Sequence, residues 1–94
     1  MHFEWDENKN KTNYAKHGVS FETAQLVFAD PCAISTQDRH EGGESRWQTL
    51  GLIGEVVVIL VAHTYGEQGG DEVIRIISAR KATKRERLKY EQTR

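Results

Sequence analysis

The sequence predicts an α+β fold: two N-terminal helices, an antiparallel sheet of three to four strands, and a C-terminal helix. Three observations lead there. The chain opens with two segments that carry helix caps, at Asp6 and Ser20. A continuous apolar, β-branched run from Val56 to Thr64 has the texture of a central strand covered on both faces. Thr83-Lys84-Arg85-Glu86 fits the capping box that begins a last helix. At 94 residues the chain suits a single domain, residues 1–94, built around one core.

The first helix is expected to start at Asp6 as N-cap, run through Lys16 or His17, and stop at Gly18. Its body is almost wholly polar, and Trp5, Tyr14 and Ala15 are its only apolar anchors. The second begins at Ser20, with Glu22 in its first turn, and ends by Pro31. Phe21, Ala24, Leu26, Val27 and Phe28 give it the broad apolar face that closes a core. A short extended piece, Ala33 to Thr36, then leads to a polar loop, Gln37 to Ser45. Three strand segments follow: Arg46 to Ile53, Val56 to Thr64 after a turn at Gly54-Glu55, and Glu72 to Ala79 after a glycine-rich loop, Gly66 to Asp71. Short connections make neighbouring strands antiparallel. The last helix, from Thr83 to about Glu91, displays charge more than it builds core, since only Leu88 and Tyr90 are apolar.

Composition narrows the function classes. Hydrophobic residues at 37% with 29% charged fit a soluble globular protein. The longest apolar run is far too short to span a bilayer, and the opening MHFEWDENK lacks the pattern of a secretory signal, so no membrane association is expected. A single cysteine, Cys32, forms no intrachain disulfide and suits a reducing cytoplasm. His40-Glu41 lacks metal-ligand spacing, so no metal and no cofactor are expected.

Charge is distributed very unevenly. Residues 75–94 hold eight basic side chains against Glu86 and Glu91, a net +6, whereas residues 1–74 carry −7. One basic face on a small acidic body suits a polyanion, most often nucleic acid. A solvated helix face is the plainer explanation of such a run. Position argues for more. Arg75 lies inside an apolar strand and Arg80 stands where strand gives way to helix, and each needs a partner or a functional cleft there.

The order of these pieces resembles a known family. FEWDENKNKTNYAKHGVSFETAQLVFADP is similar to the opening of the BrnT-type toxins, and IRIISARKATKRERLKYE to their closing segment. The Glu44–Arg46 pair and His63-Thr64 also match. The resemblance implies a ribonuclease toxin of a type II toxin–antitoxin system with a RelE-like fold. It implies as partner a separate antitoxin with a ribbon-helix-helix DNA-binding part, which brings operator DNA in only through the complex. The chain departs from the pattern at Thr23, where a second glutamate is common, and in the longer segment after His63-Thr64.

Metal-independent RNA cleavage needs a base for the 2′-hydroxyl, a stabiliser for the phosphorane, and a proton for the leaving 5′-oxygen. Arg80 and Arg75 are the candidates for the phosphorane, since a guanidinium fork meets two phosphate oxygens and stays charged. Strict strand alternation would turn these two to opposite faces, and they converge only if the strand ends or bulges near Ala79. Arg75 can instead pair with Glu72 or an acidic helix residue. His63 is the candidate proton carrier, although a strand-end histidine is more often structural. Lys81, Lys84 and Arg85 are expected to hold the RNA backbone. Tyr90 either stacks on a base or covers the sheet edge, and Arg46 either reaches the cleft or pairs with Glu44. The leading reading is thus an endoribonuclease that inhibits translation and growth. A non-catalytic nucleic-acid-binding or regulatory domain using the same basic segment is the alternative, and a partner-recruiting module the third.

Overall fold

The computed structural model describes residues 1–41, 44–55 and 57–93. Gly42 and Gly43 of the expected loop, Val56 at the expected strand start, and Arg94 of the basic tail lie outside the described residues.

The fold is α+β. Five strands form one mixed sheet: β1 (His2–Glu4), β2 (Ile34–Glu41), β3 (Glu44–Ile53), β4 (Val57–Gln68) and β5 (Asp71–Lys81), in the order β1-β5-β4-β3-β2. β1 runs parallel to β5, and all other neighbours are antiparallel. Helices α1 (Glu7–His17) and α2 (Phe21–Ala24) pack on one face, and α2 continues as a 3₁₀ helix, Gln25–Ala29. Helix α3 (Lys84–Gln92) lies on the other face.

The expectation of three to four antiparallel strands is therefore corrected to five strands in a mixed sheet. β1 is too short for its alternation to register in sequence. It is held because Phe3 packs against Phe28, ring centroids 5.4 Å apart, while the backbone pairs with Val73–Arg75. The expected Gln37–Ser45 loop is mostly a β2–β3 ribbon. Its residues are polar on both sides because that ribbon runs beyond the core, so no hydrophobic period marks it. The expected Gly66–Asp71 loop is likewise mostly strand. The β4–β5 hairpin turns only at Gly69-Gly70, whose φ values of 60° and 88° suit a two-residue hairpin turn. The second expected helix has only one α-helical turn before tightening to 3₁₀.

The sheet is covered unequally. Under α1, α2 and the 3₁₀ helix, Phe21, Ala24 and Val27 pack on Ile59, Val61, Ile74, Ile76 and Ala79. The 3₁₀ helix sits so close to β3 that a Cβ on Gly51 would lie 2.5 Å from Val27 Cγ1. We call this the helical face. On the other face α3 covers only one end, where Tyr90 packs with Leu50, Val58 and Leu60. Val58, Leu60, Ile59 and Val61 thus bury both sides of β4, as its continuous apolar run implies.

Helix α1 is anchored by amides. Asp6 caps it, accepting from the Asn8 and Lys9 N–H groups. Tyr14 and Ala15, expected anchors, are exposed. Asn10 and Asn13 are buried instead. Asn13 donates to the Ala79 and Val19 carbonyls at 2.8 and 2.9 Å and accepts from the Ala79 N–H. Its side chain takes the place a neighbouring strand would hold beside β5. Asn10 accepts from the Phe21 N–H and donates to Glu7 and Glu22, tying α1 to α2.

Candidate nucleic-acid interface

The half of the sheet that α3 leaves uncovered is polar. Its residues follow from register. Arg46 of β3 pairs with Thr64 of β4, Thr64 with Arg75 of β5, and Arg75 with Glu4 of β1, so these four form one row across the sheet. The next row on this face is Gln48, Ala62 and Ser78. Beyond it come Leu50, Leu60 and Arg80, where α3 begins its cover.

Arg75 and Arg80 share this face because β5 bulges. Ala62 pairs with Ser78 but His63 pairs with Ile76, which leaves Ile77 as an extra residue. Arg75 stands opposite Thr64 and Arg80 opposite Leu60, two β4 residues of one parity. The condition set by strand alternation is met by this bulge at Ile77, two residues before Ala79. Four residues of β4 place the two arginines about 13 Å apart along the strand.

Both arginines have carboxylate partners. Arg75 Nη1 lies 3.5 Å from Glu4 Oε1, with both side chains nearly half exposed. Such a pair contributes little to stability, and a phosphate can displace it. Neither Glu72 nor a helix residue is that partner. Arg80 meets Glu86 through two bonds, Nη1 to Oε1 at 2.8 Å and Nη2 to Oε2 at 3.1 Å, and Nη1 also donates to the Lys81 carbonyl. These contacts use three of the five N–H donors of a guanidinium, so two remain for a ligand. Glu86 also accepts from the Thr83 N–H in the capping box, so one carboxylate both starts α3 and fixes Arg80. The hydrogen bonds from Arg80 are the main reason its pKa is depressed to about 2, so Glu86 stays ionised at neutral pH.

His63 does not join the arginines. It points to the helical face, buried, with its ring edge-on to Phe28 at 4.9 Å between centroids. Its bonds fix the tautomer. Nδ1–H donates to the Thr64 carbonyl, so Nε2 accepts from the Thr49 hydroxyl at 2.7 Å, and Thr49 accepts from Ser35. Burial pushes its pKa down, keeping it neutral. Tyr90 is also withdrawn. It is 1% exposed, and its hydroxyl donates to Asp30, which also accepts from the Leu52 N–H. Its ring covers the sheet and presents no face for base stacking.

The basic tail is divided by the fold. Lys81 pairs with Ile59 and so lies on the helical face. Lys84 and Arg85 project from α3 away from the side that carries Glu86 and Tyr90. Strand register puts Arg75 and Arg80 of this tail on the open face, where Arg46 joins them. Glu4 and Glu44 line a hollow of about 500 Å³ with Thr64 and Arg75. Sequence reasoning did not find Glu4, because its place depends on β1 pairing. Among the described residues, no three His, Cys, Asp or Glu side chains converge to hold a metal ion. Nor is any helix long and apolar enough to cross a membrane.

Comparison with protein families adds a match over residues 5–86 to the family described as ribonuclease toxin, BrnT, of type II toxin–antitoxin system. The chain belongs to this family. BrnT toxins are ribonuclease toxins paired with an antitoxin, and the matched segment includes Arg46, Arg75, Arg80 and Glu86. Glu4 and the outer turns of α3 fall outside the BrnT match. Comparison with curated proteins finds no match.

Proposed function

We propose that this chain is a metal-independent endoribonuclease toxin whose RNA site is the open sheet face, and that RNA cleavage inhibits translation and growth in the cytoplasm. The observation that carries the reading is that Arg46, Arg75 and Arg80 share one face of the sheet, the first two in its uncovered half and Arg80 where α3 begins its cover. RNA is the substrate. The 2′-oxygen attacks phosphorus, the P–O5′ bond breaks, and the products end in a 2′,3′-cyclic phosphate and a 5′-hydroxyl. Arg80, held by Glu86, stabilises the charge of the phosphorane. Arg75 and Arg46 hold phosphate oxygens along the neighbouring row. Glu4 and Glu44 line the hollow beside Arg75, about 13 Å along the strand from Arg80, so they border the neighbouring phosphate and do not carry protons at Arg80. His63 is left out of the chemistry because it faces the other side. The partner is a cognate antitoxin with a ribbon-helix-helix part, which takes the complex to operator DNA.

The purified chain with RNA, free or on ribosomes and in excess chelator, is expected to give 2′,3′-cyclic phosphate ends. Tight RNA binding without cleavage in either setting would overturn the enzyme reading. It would favour the non-catalytic binding domain, a reading that draws support from the ion pairs already formed by Arg75 and Arg80.

A further inference from the structure

The open face does not account for the positive charge on α3. Lys84, Arg85, Leu88, Lys89 and Gln92 line a groove of about 550 Å³ on the side away from Tyr90. Among the described residues, no carboxylate lies within ion-pair distance of Lys84, Arg85 or Lys89, whereas Arg75 and Arg80 are both paired. Uncompensated charge is therefore gathered here, whereas both tail arginines on the open face are paired. Within it stands Leu88, 48% exposed. The helix has only one other apolar residue apart from its stem carbons, Tyr90, and that is fully occupied inside the fold. A nucleic-acid backbone would meet the cations but gain nothing from a leucine among them. A protein segment with carboxylates around an apolar side chain would satisfy both at once.

We propose that the outer face of α3 is the docking surface for an acidic amphipathic segment of the antitoxin, with Leu88 as the apolar anchor and Lys84, Arg85 and Lys89 as its charged rim. This rests on the toxin reading for the identity of the partner, not for the surface itself. The segment sits on the opposite side of α3 from Glu86. It occupies the helix that fixes Arg80 without touching the sheet arginines, and it takes Lys84 and Arg85, which the sequence suggested for the RNA backbone, as part of its rim.

The test uses the full chain and the protein encoded by its adjacent reading frame, with the affinity of the pair measured against RNA cleavage by the free toxin. Leu88→Glu should weaken antitoxin binding at least about 30-fold, as removal of a central anchor does. Lys89→Glu should weaken it less and reduce its dependence on salt. Neither should change RNA cleavage by more than about 2-fold, because neither residue faces the sheet, and a thermal melt should show both variants folded. Leu88→Ala supplies the same test without an added charge. Antitoxin affinity unchanged in folded Leu88→Glu and Leu88→Ala would overturn the proposal. So would RNA cleavage falling while antitoxin affinity held, which would give the surface to nucleic acid. A wild-type chain that cleaves RNA yet binds no antitoxin would sink the docking surface alone. A chain whose antitoxin binding responds to Leu88→Glu but which cuts no RNA would keep this surface and remove the ribonuclease.

Discussion

Ser35, Thr49 and His63 form a directed chain of hydroxyl and imidazole bonds that only a neutral histidine completes. Protonation would put a donor where Nε2 accepts from Thr49. The folded pKa lies below the ordinary 6.5 because burial disfavours the charge. Between that folded value and about 6.5 the unfolded chain binds the proton and the folded chain does not, so stability rises with pH through the window. Above it the contribution is constant. Thermal melts should therefore show the protein losing stability as pH falls below about 6.5. His63→Gln, whose amide oxygen accepts without titrating, should be less stable at pH 7.5 yet flatter between pH 5 and 7. An equal slope in the variant would detach this dependence from His63. Glu86 acts in a separate range. Its depressed pKa means that its contribution is present above about 4.5 and fades as pH falls toward 2.

For the elements, α1 is the instructive one. Its sequence is so polar that it offers only Trp5, Tyr14 and Ala15 as apolar anchors, yet the buried positions of the helix are Asn10 and Asn13. An asparagine amide carries both a donor and an acceptor, which is what an unpaired strand backbone needs. Asn13 supplies both to Ala79 just past the bulge at Ile77. Asn13→Leu should cost about 2–4 kcal/mol, because the buried Ala79 and Val19 groups would lose their partner. Tyr14→Ala should stay within about 0.5 kcal/mol, being a surface change. Urea midpoints of the two variants decide between them, and equal shifts would contradict the role of Asn13. The same example shows what could be read in advance. Caps at Asp6, Ser20 and Thr83 and the central run in β4 depend on local residue types, and the structure has all of them. The buried asparagines, the three-residue β1 and the polar β2–β3 ribbon depend on pairing across the chain, which leaves no period in the sequence. The face of Arg80 was legible only as a condition, since the bulge that sets it has no residue signature at Ile77.

At the scale of the whole molecule, one sheet separates two environments. The helical face is packed under α1, α2 and the 3₁₀ helix and holds His63. The other carries the arginines beside α3. This division is why candidates close in sequence part company: Lys81 next to Arg80 and His63 next to Thr64 each lie on the opposite side from their neighbour. It also separates the paired Arg75 and Arg80 on the open face from the unpaired Lys84, Arg85 and Lys89 on the outside of α3, which a linear charge count merges. The central claim is that the sheet arginines, and not His63, carry the phosphate chemistry. The most direct measurement is single-turnover RNA cleavage by purified Arg75→Ala/Arg80→Ala beside folded His63→Gln, with melts of both. Loss of one electrostatic donor of this kind typically lowers a rate by about 10² to 10³. The double variant should fall at least that far while His63→Gln stays within about 10-fold of wild type. Wild-type rates from a folded double variant, or a larger loss in His63→Gln, would contradict the account.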